Sequence, residues 1–588
     1  MLARYGRAVS RKRTPQSLPI PGQAQVQNYA GGYVYQLDKW EALNRFLILG
    51  TEGGTYYADE QKLTREAAAN VEACIAENLD RVVRTVVEVS DSGRAPRNTP
   101  ALFTLALAAA LVEPSRRKVA LEALTKVARI PTHLFQWVDA HKELLGSNTQ
   151  FRRAVGAWFS QEADHLAYEL VKYQAREGWT NRDVLRQAHW KPASKKHEAV
   201  MRWVTGGMDA LQWHPVVRRQ RKDGKLVDLR TDEYGDVQEH LPRIIAGFEE
   251  AKGATTPAQT AELIVHYNLT REMVPSQMLQ HREVWEALLH RMPLTAMIRN
   301  LGKMTSVGLL EPMSDACRLV CARLRDQEYL RRSRVHPMAV LIAERAYKSG
   351  AGRARKIIWP RLGKAGEIDQ LTWTPVGAVV DALDDAFYLA FGNVRPMGKR
   401  LLLALDVSGS MGAQMTGYPI TVREASAAMV LVTMRVEDPN NYIVVGFTSA
   451  TGTSHMGDGS ALDILDISPK QRLDEVVKAI SDLPFGGTDC SLPFTMARQQ
   501  NLQVDAFVTL TDSESWAGKI HPSQALQLYR DQSGIAAKAV VQGMTATDFT
   551  VLDPADPLAL NVVGFDTATP NLIADFVRGE ATQTAVPA

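Results

Sequence analysis

Asp406, Ser408 and Ser410 alternate along the short stretch DVSGS, so one carboxylate and two hydroxyls can converge on a single point. Converging hard oxygens suit Mg²⁺ first, then Mn²⁺ or Ca²⁺, and not a soft metal. Thr488, inside LPFGGTDC, can add a third hydroxyl, and Asp512, which closes AFVTLTD, a second carboxylate. A different chemistry is offered by two basic clusters. Lys172 and Arg176 stand four apart, so they share a helix face, and His189, Trp190 and Lys191 follow at the far end of the next helix. Cations beside an aromatic ring and a histidine suit phosphate contact and base stacking on irregular RNA. Arg299 and Lys303 repeat the four-residue spacing within MPLTAMIRNLGKM. Each pattern has a plainer reading. Ser408 or Ser410 can simply cap a helix, and Lys and Arg can be solvated helix faces.

The elements that must position the oxygen cluster are legible. Leu401–Leu405 is an unbroken apolar run into Asp406, the pattern of a buried parallel strand. Open α/β sheets place ligands just past the carboxyl ends of such strands. Further strands are predicted at Tyr442–Phe447, Ala506–Leu510, Ala537–Val541 and Asn561–Val563. Helices are predicted between them, around Thr421–Val436, Gln471–Asp482, Leu492–Gln500 and Pro522–Arg530, which gives a doubly wound parallel sheet. Gly409 and Gly412 are expected to permit the tight turn after Asp406. DxSxS, a distant Thr and a later Asp, in that order, resemble the metal-ion-dependent adhesion site of von Willebrand factor A domains.

The bulk properties are those of a globular chain of two to four domains: 588 residues, 45% hydrophobic and 23% charged. The apolar run 101–112 is too short to cross a bilayer, and the basic start 1–13 leads into Pro-containing polar sequence instead of the apolar core of a secretory signal. Four cysteines make no disulfide framework at this length, so a reducing, cytoplasmic setting is expected. Cys317 and Cys321 share a helix face, but no further zinc ligands lie near, and buried packing is the expected role. The net charge of +3 hides an asymmetry. From 401 onward there are 10 Lys+Arg against 21 Asp+Glu, a net of −11, which leaves 58 against 44, or +14, for the first 400 residues. A broad cationic surface points to a polyanion, nucleic acid first.

Between Leu63 and about Asp384 the pattern is helix after helix with short connections and no exact period, which implies stacked helical hairpins of the HEAT kind. The expected organisation is a mobile basic tail over 1–27, a helical domain over 28–395, an α/β domain over 396–580 and a loose tail over 581–588. The polar stretch 220–239 is expected to be an exposed loop. The Gly-rich stretch 50–62 is no phosphate loop, since no GK[ST] follows. The cationic half holds no nucleophile–base pair and no paired acidic catalytic motif, so nuclease activity is not expected.

Six blocks of the chain resemble the Ro autoantigen (TROVE-domain) family: FLILGTEGGTYYADEQKL, KYQAREGWTNRDVLRQAHWKP, MPLTAMIRNLGKM, GKRLLLALDVSGSMG, GGTDCSLP and TDSESWAGKIHPSQALQLYR. They run in the family's order over residues 46 to 530. The resemblance implies a ring of HEAT-like repeats closed by a von Willebrand A domain. It implies small structured Y RNAs on a basic outer surface, where Lys172, Arg176 and His189 fall on contributing positions. It implies single-stranded 3′ ends of misfolded RNAs in a central hole, where we place Arg299 and Lys303. It also implies roles in RNA quality control, or as an RNA-tethered adaptor for an exoribonuclease. Some members lack a full set of metal ligands, whereas here Asp406, Ser408, Ser410, Thr488 and Asp512 are all present. The expected protein is a monomer that binds RNA and is not an enzyme. The rivals are a scaffold that binds an acidic protein ligand through the metal, and a metal-dependent phosphoesterase using Asp406 and Asp512.

Overall fold

The computed structural model describes residues 13–51, 60–92, 94–95, 97–176, 178–212, 217–222, 225–230, 236–333, 335, 337–352, 356–358, 365–367, 371–391, 394–415, 420–449, 461–483, 486–545, 547–563 and 569–580. The first described segment lies on the C-terminal half of the chain. From Thr14 onward it is tied down, with Gln16 donating its backbone N–H to the Gly518 carbonyl at 2.9 Å. The tail expected over 1–27 is therefore docked over the part described, and 1–12 lie outside the described residues. Strands β1 (Val26–Gln27) and β2 (Tyr33–Gln36) pair antiparallel, and β2 pairs in turn with Phe549–Thr550.

Helices then follow one another as the sequence implied. Asp38 caps Lys39–Leu49 through the N–H groups of Trp40 and Glu41, satisfying two donors that a helix start leaves open. Glu60–Ser92 breaks at Asn78, whose side chain accepts from Arg81 N and so caps the second half. Thr99–Leu111 has Pro100 in its first turn and buries most of its Ala- and Leu-rich surface against Pro131–Leu145. After Ala163–Lys172 a two-residue hairpin pair, β3 (Ala175–Arg176) and β4 (Trp179–Thr180), turns the chain into Asn181–Ala188. The stretch expected as a loop over 220–239 contains an antiparallel hairpin, β5 (Val217–Lys222) with β6 (Lys225–Arg230). The DG pair in the sequence between the two strands is a hairpin signal, but the dense charge around it outweighed that signal. The helix expected over 237–251 is split into a short 3₁₀ turn at Gln238–His240 and Arg243–Gly253, because Pro242 cannot continue a helix from its N-terminal side. Pro337–Lys348, which the sequence reading passed over, packs on Gly377–Leu389. A small pair, β7 (Lys356–Ile358) and β8 (Ala365–Glu367), lies between them in the chain.

The α/β half carries a six-stranded sheet in the order β11 (Leu462–Ile464), β10 (Tyr442–Phe447), β9 (Leu401–Asp406), β12 (Ala506–Thr511), β13 (Lys538–Gly543), β15 (Ala559–Val563). All pairings are parallel except the edge strand β11, so the sheet is mixed. Residues 549–550 form β14, outside this sheet. Along β9, Leu401, Leu403 and Leu405 pack into one core, while Leu402 and Ala404 pack into another on the opposite face. That two-sided burial is why the strand reads as a continuous apolar run. Both ends of the helical array rest on this half. Arg45 donates to the carbonyls of Thr547 and Phe549 at one end, and Arg345 pairs with Glu424 of Val422–Val436 at the other. The path thus closes on itself. All four cysteines are buried and free, Cys317 and Cys321 among them. No helix among the described residues is long and apolar enough to cross a membrane.

Candidate metal centre and cationic face

Asp406 ends the central strand β9, and Asp512 follows directly on its neighbour β12. Parallel register sets Leu405 opposite Leu510, so Asp406 meets Thr511 and Asp512 lies one residue beyond. Both are buried, at 1% and 3% exposure. Ser408 N–H donates to Asp406 Oδ1 at 2.9 Å, and Thr511 Oγ1 donates to Oδ2 at 2.7 Å. The Ser408 and Ser410 hydroxyl oxygens are 3.2 Å apart. Asp512 Oδ1 accepts from Glu514 N–H at 3.1 Å. The turn Gly409–Gly412 is 3₁₀, and neither glycine takes a positive φ, so the expected conformational need for glycine does not arise there. The left-handed residue lies instead at Ser513, with φ 68°. A buried non-glycine in that region is strained and is held by its surroundings.

Thr488 is brought in by a third loop. Thr448, just past β10, accepts from Gly486 N–H at 2.7 Å and donates to the Gly487 carbonyl at 2.9 Å. The Thr488 carbonyl accepts from Trp516 and Ala517 N–H groups, which fastens this loop to the one carrying Asp512. Thr488 Oγ1 itself is fully buried and has no hydrogen-bond partner among the described residues. Such a buried hydroxyl costs about 1–3 kcal/mol unless something else satisfies it. The carboxylates tell the same story. Burial, then the charge of Asp512, push Asp406 up to about 7, and burial raises Asp512. Burial and the Asp512 charge likewise push Glu514 up to about 8. Three buried carboxyls meet here, and the Arg423 guanidinium, which acts on Asp406 and donates to the Ser408 carbonyl at 3.3 Å, offsets only part of their charge; the donors of the cluster are all oxygen. A hard divalent cation fits both facts. Thr448, Thr511 and Glu514 were not singled out from the sequence. Only Thr511, directly before Asp512, stood close enough to the motif to be found.

The cationic residues separate. Lys172 ends Ala163–Lys172, half-buried, with Nζ 5.3 Å from the Tyr168 ring and 5.2 Å from that of Tyr173. Arg176 is exposed on β3. Both line one cavity of about 580 Å³. Among the described residues neither makes a salt bridge, although the Glu169 carboxylate acts on Lys172. His189 does not line this cavity. It caps Asn181–Ala188 in the left-handed conformation, φ 47°, and is exposed. The neighbouring Trp190 points inward, hydrogen-bonded to Ser160 Oγ and packed near Phe159, so the stacking role expected for it fails. Arg299 and Lys303 lie on Leu294–Ser306, off the face that buries Met297, Ile298, Leu301 and Met304. Arg299 is exposed, and Lys303 donates to Gln280 Oε1 at 2.6 Å.

Comparison with known proteins covers both halves. The family model of the TROVE domain matches residues 26–356, and that of the Ro60 vWA domain matches residues 400–577. The chain is 37% identical to the RNA-binding protein RO60 of Deinococcus radiodurans over 579 residues, 98% of this chain and 99% of that protein. It is 32% identical to the RNA-binding protein RO60 of Caenorhabditis elegans over 630 residues, 97% of this chain and 92% of that protein. The crystal structure of the Deinococcus radiodurans RO (RSR) protein matches with a TM-score of 0.65 and 37% identity, over 92% of this chain and 100% of that one.

Proposed function

The chain belongs to the Ro60 family, whose relatives above are named RNA-binding proteins, and on that premise we propose that it is a non-enzymatic RNA-binding protein acting through its cationic helical array. In this reading a small structured Y RNA rests on the face that carries Lys172, Arg176 and His189. Single-stranded 3′ ends of misfolded RNAs thread past Arg299 and Lys303. The protein serves RNA quality control in the cytoplasm as a monomer, or tethers an exoribonuclease through its RNA. The observation that carries the reading is the pair Lys172 and Arg176 opening onto one cavity whose lining holds more cations than carboxylates. Contacts of this kind position phosphates without reading bases, so affinity falls steeply with salt and sequence preference is weak.

Asp406, Ser408, Ser410, Thr488 and Asp512 would hold the divalent ion, Mg²⁺ first. When bound, the ion offers an open coordination position to a carboxylate oxygen. A second reading, a protein-binding scaffold, draws support from Trp516. Its indole lies over Gly487 beside Thr488 and remains 38% exposed, an apolar contact next to the charged one.

The test is ultraviolet crosslinking in the native cells, with sequencing of bound RNA. Wild type is compared with Lys172→Ala/Arg176→Ala/His189→Ala and with Asp406→Ala. The triple variant should lose a small structured RNA and keep RNAs with single-stranded 3′ tails, and Asp406→Ala should keep both. Recovery of no RNA above background by wild type would end the RNA reading and leave the scaffold.

A further inference from the structure

The cavity that holds Lys172 and Arg176 has a second wall. It is built from Phe248 and Lys252 of Arg243–Gly253 and from the segment 271–279, which supplies Arg271, Glu272, Ser276 and Gln277. Its lining therefore carries four cations against one carboxylate, Glu272. Arg271 is only loosely matched to that carboxylate, at 3.7 Å, and is 45% exposed. Lys252 reaches Glu249 at 3.0 Å and lies 4.9 Å from the Phe248 ring, and is still 54% exposed. The positive field continues past the rim. Burial lowers the Lys303 ammonium, and the charge of Arg271 lowers it further. Lys303 in turn holds Gln280, one residue beyond the lining residue Leu279. Like charges gathered this closely raise the energy of the free protein unless an anion joins them.

At about 580 Å³ the cavity has the size of a ligand site. It lies between residues 171–176 on one side and Phe248, Lys252 and 271–279 on the other, and a cavity of this volume is too small to take in a duplex. Unpaired backbone in a loop or bulge can bend into such a cavity, and irregular single-stranded elements are what proteins grip on RNA.

We propose that this cavity is an RNA-backbone subsite that takes the phosphodiesters of an unpaired loop or bulge, with Lys252 and Arg271 contacting phosphates from the wall opposite Lys172 and Arg176. The assignment rests on the RNA-binding reading and specifies its ligand geometry. Lys252 and Arg271 are far in sequence from the first pair, and the fold alone unites them. Through Arg271 the site adjoins Lys303, so a strand leaving the cavity has a cationic path towards the helix Leu294–Ser306.

The experiment measures binding of the full-length chain to two RNAs with equal numbers of phosphates. One is a hairpin with an unpaired loop, the other a blunt, fully paired duplex. Each is titrated over a range of salt with wild type, with Lys252→Gln/Arg271→Gln, and with Lys470→Gln/Lys478→Gln. The last pair makes the same charge change on exposed residues of the α/β half. Unchanged thermal unfolding checks the fold of each variant. Lys252→Gln/Arg271→Gln should weaken the looped hairpin at least tenfold and flatten its log–log salt slope by about 1.4, the value for two single-strand phosphate contacts. Blunt-duplex binding should stay within twofold, and the control pair should leave both unchanged. If wild type fails to bind the hairpin, the RNA reading itself falls. If wild type binds and the variant matches it, or if hairpin and duplex weaken equally, the subsite is overturned while RNA binding stands.

Discussion

At the scale of single residues, the candidate metal centre is a set of polar atoms that the fold buries and only partly satisfies. Thr488 Oγ1 has no partner among the described residues, and Asp406 and Asp512 are buried carboxylates, with the nearby Arg423 guanidinium acting on Asp406. A divalent ion, if held there as proposed, would relieve all three at once. Mg²⁺ present at about 100 times its dissociation constant should stabilise the folded chain by about 2.7 kcal/mol. Thermal unfolding should move up by several degrees in wild type and stay flat in Asp406→Ala. Burial and then the Asp512 charge push Asp406 up to about 7, so protons would compete with the ion, and the Mg²⁺-dependent shift should shrink as pH falls below about 7. A shift of equal size in Asp406→Ala would remove the ion from this site. The sequence carried the five candidate ligands because they sit in short motifs. It did not carry Thr448 or Thr511, which act on those ligands from positions with no motif of their own.

At the scale of elements, the helical array is held by contacts that the sequence pattern only outlines. His141 of Pro131–Leu145 is a clear case. It lies 4.7 Å from the Trp137 ring and 5.3 Å from Phe151 of Thr149–Phe159, and it is 1% exposed. Burial lowers it to about 4, and burial with the Arg129 charge does the same to His133 on the same helix. The unfolded chain takes up these protons near pH 6.5, while the folded chain resists them until about 4. Stability from the neutral rings is therefore full above about 6.5 and is lost as pH falls towards 4. Between pH 7 and pH 5 each ring should cost the fold roughly 1–2 kcal/mol. His141→Phe, which keeps an aromatic in the contact and removes the titration, should show a shallower fall in denaturation midpoint over that range. An unchanged slope would place the acid sensitivity elsewhere. From the sequence, His141 was one residue of a helix. Its burial between two rings depends on which hairpin stacks on which.

At the scale of the whole molecule, both ends of the array meet the α/β half, and the two meetings differ in kind. The N-terminal one is a strap. Gln16 donates to Asp489 and accepts from Ser515, Asn28 donates to the Ser515 carbonyl, and Gly32 lies so close that a Cβ would sit 2.0 Å from that oxygen. Two of the three loops at the metal centre are thus fastened by the first residues of the chain. The second meeting is ionic. Burial would raise Glu424, but the Arg345 guanidinium and the Thr421 N–H outweigh it and hold its carboxyl below the ordinary range. Lys348 pairs with Asp474 nearby, with both side chains about half exposed. Arg345→Ala leaves a mostly buried carboxylate without its partner and should cost about 1–3 kcal/mol in denaturant unfolding. Lys348→Ala removes a solvated pair and should cost less than about 1 kcal/mol. Equal costs would mean that burial at this junction does not govern its strength.

Much of this protein was written locally. The apolar run into Asp406, the alternation of strand and helix, the five oxygen ligands and the long succession of helices follow from periodicity and short motifs, which act within a few residues. Helix ends, the edge strand β11 and the hairpin β5–β6 were less legible, because caps, edges and charged turns leave weak signals. Only tertiary structure decided the rest. Lys172, Arg176, Lys252 and Arg271 face one cavity, Gln16 reaches Asp489, and Trp190 turns inward away from solvent. Each of these depends on segments far apart in the chain packing in one particular way. Side-chain burial and charge proximity are properties of that packing, and no local pattern encodes them.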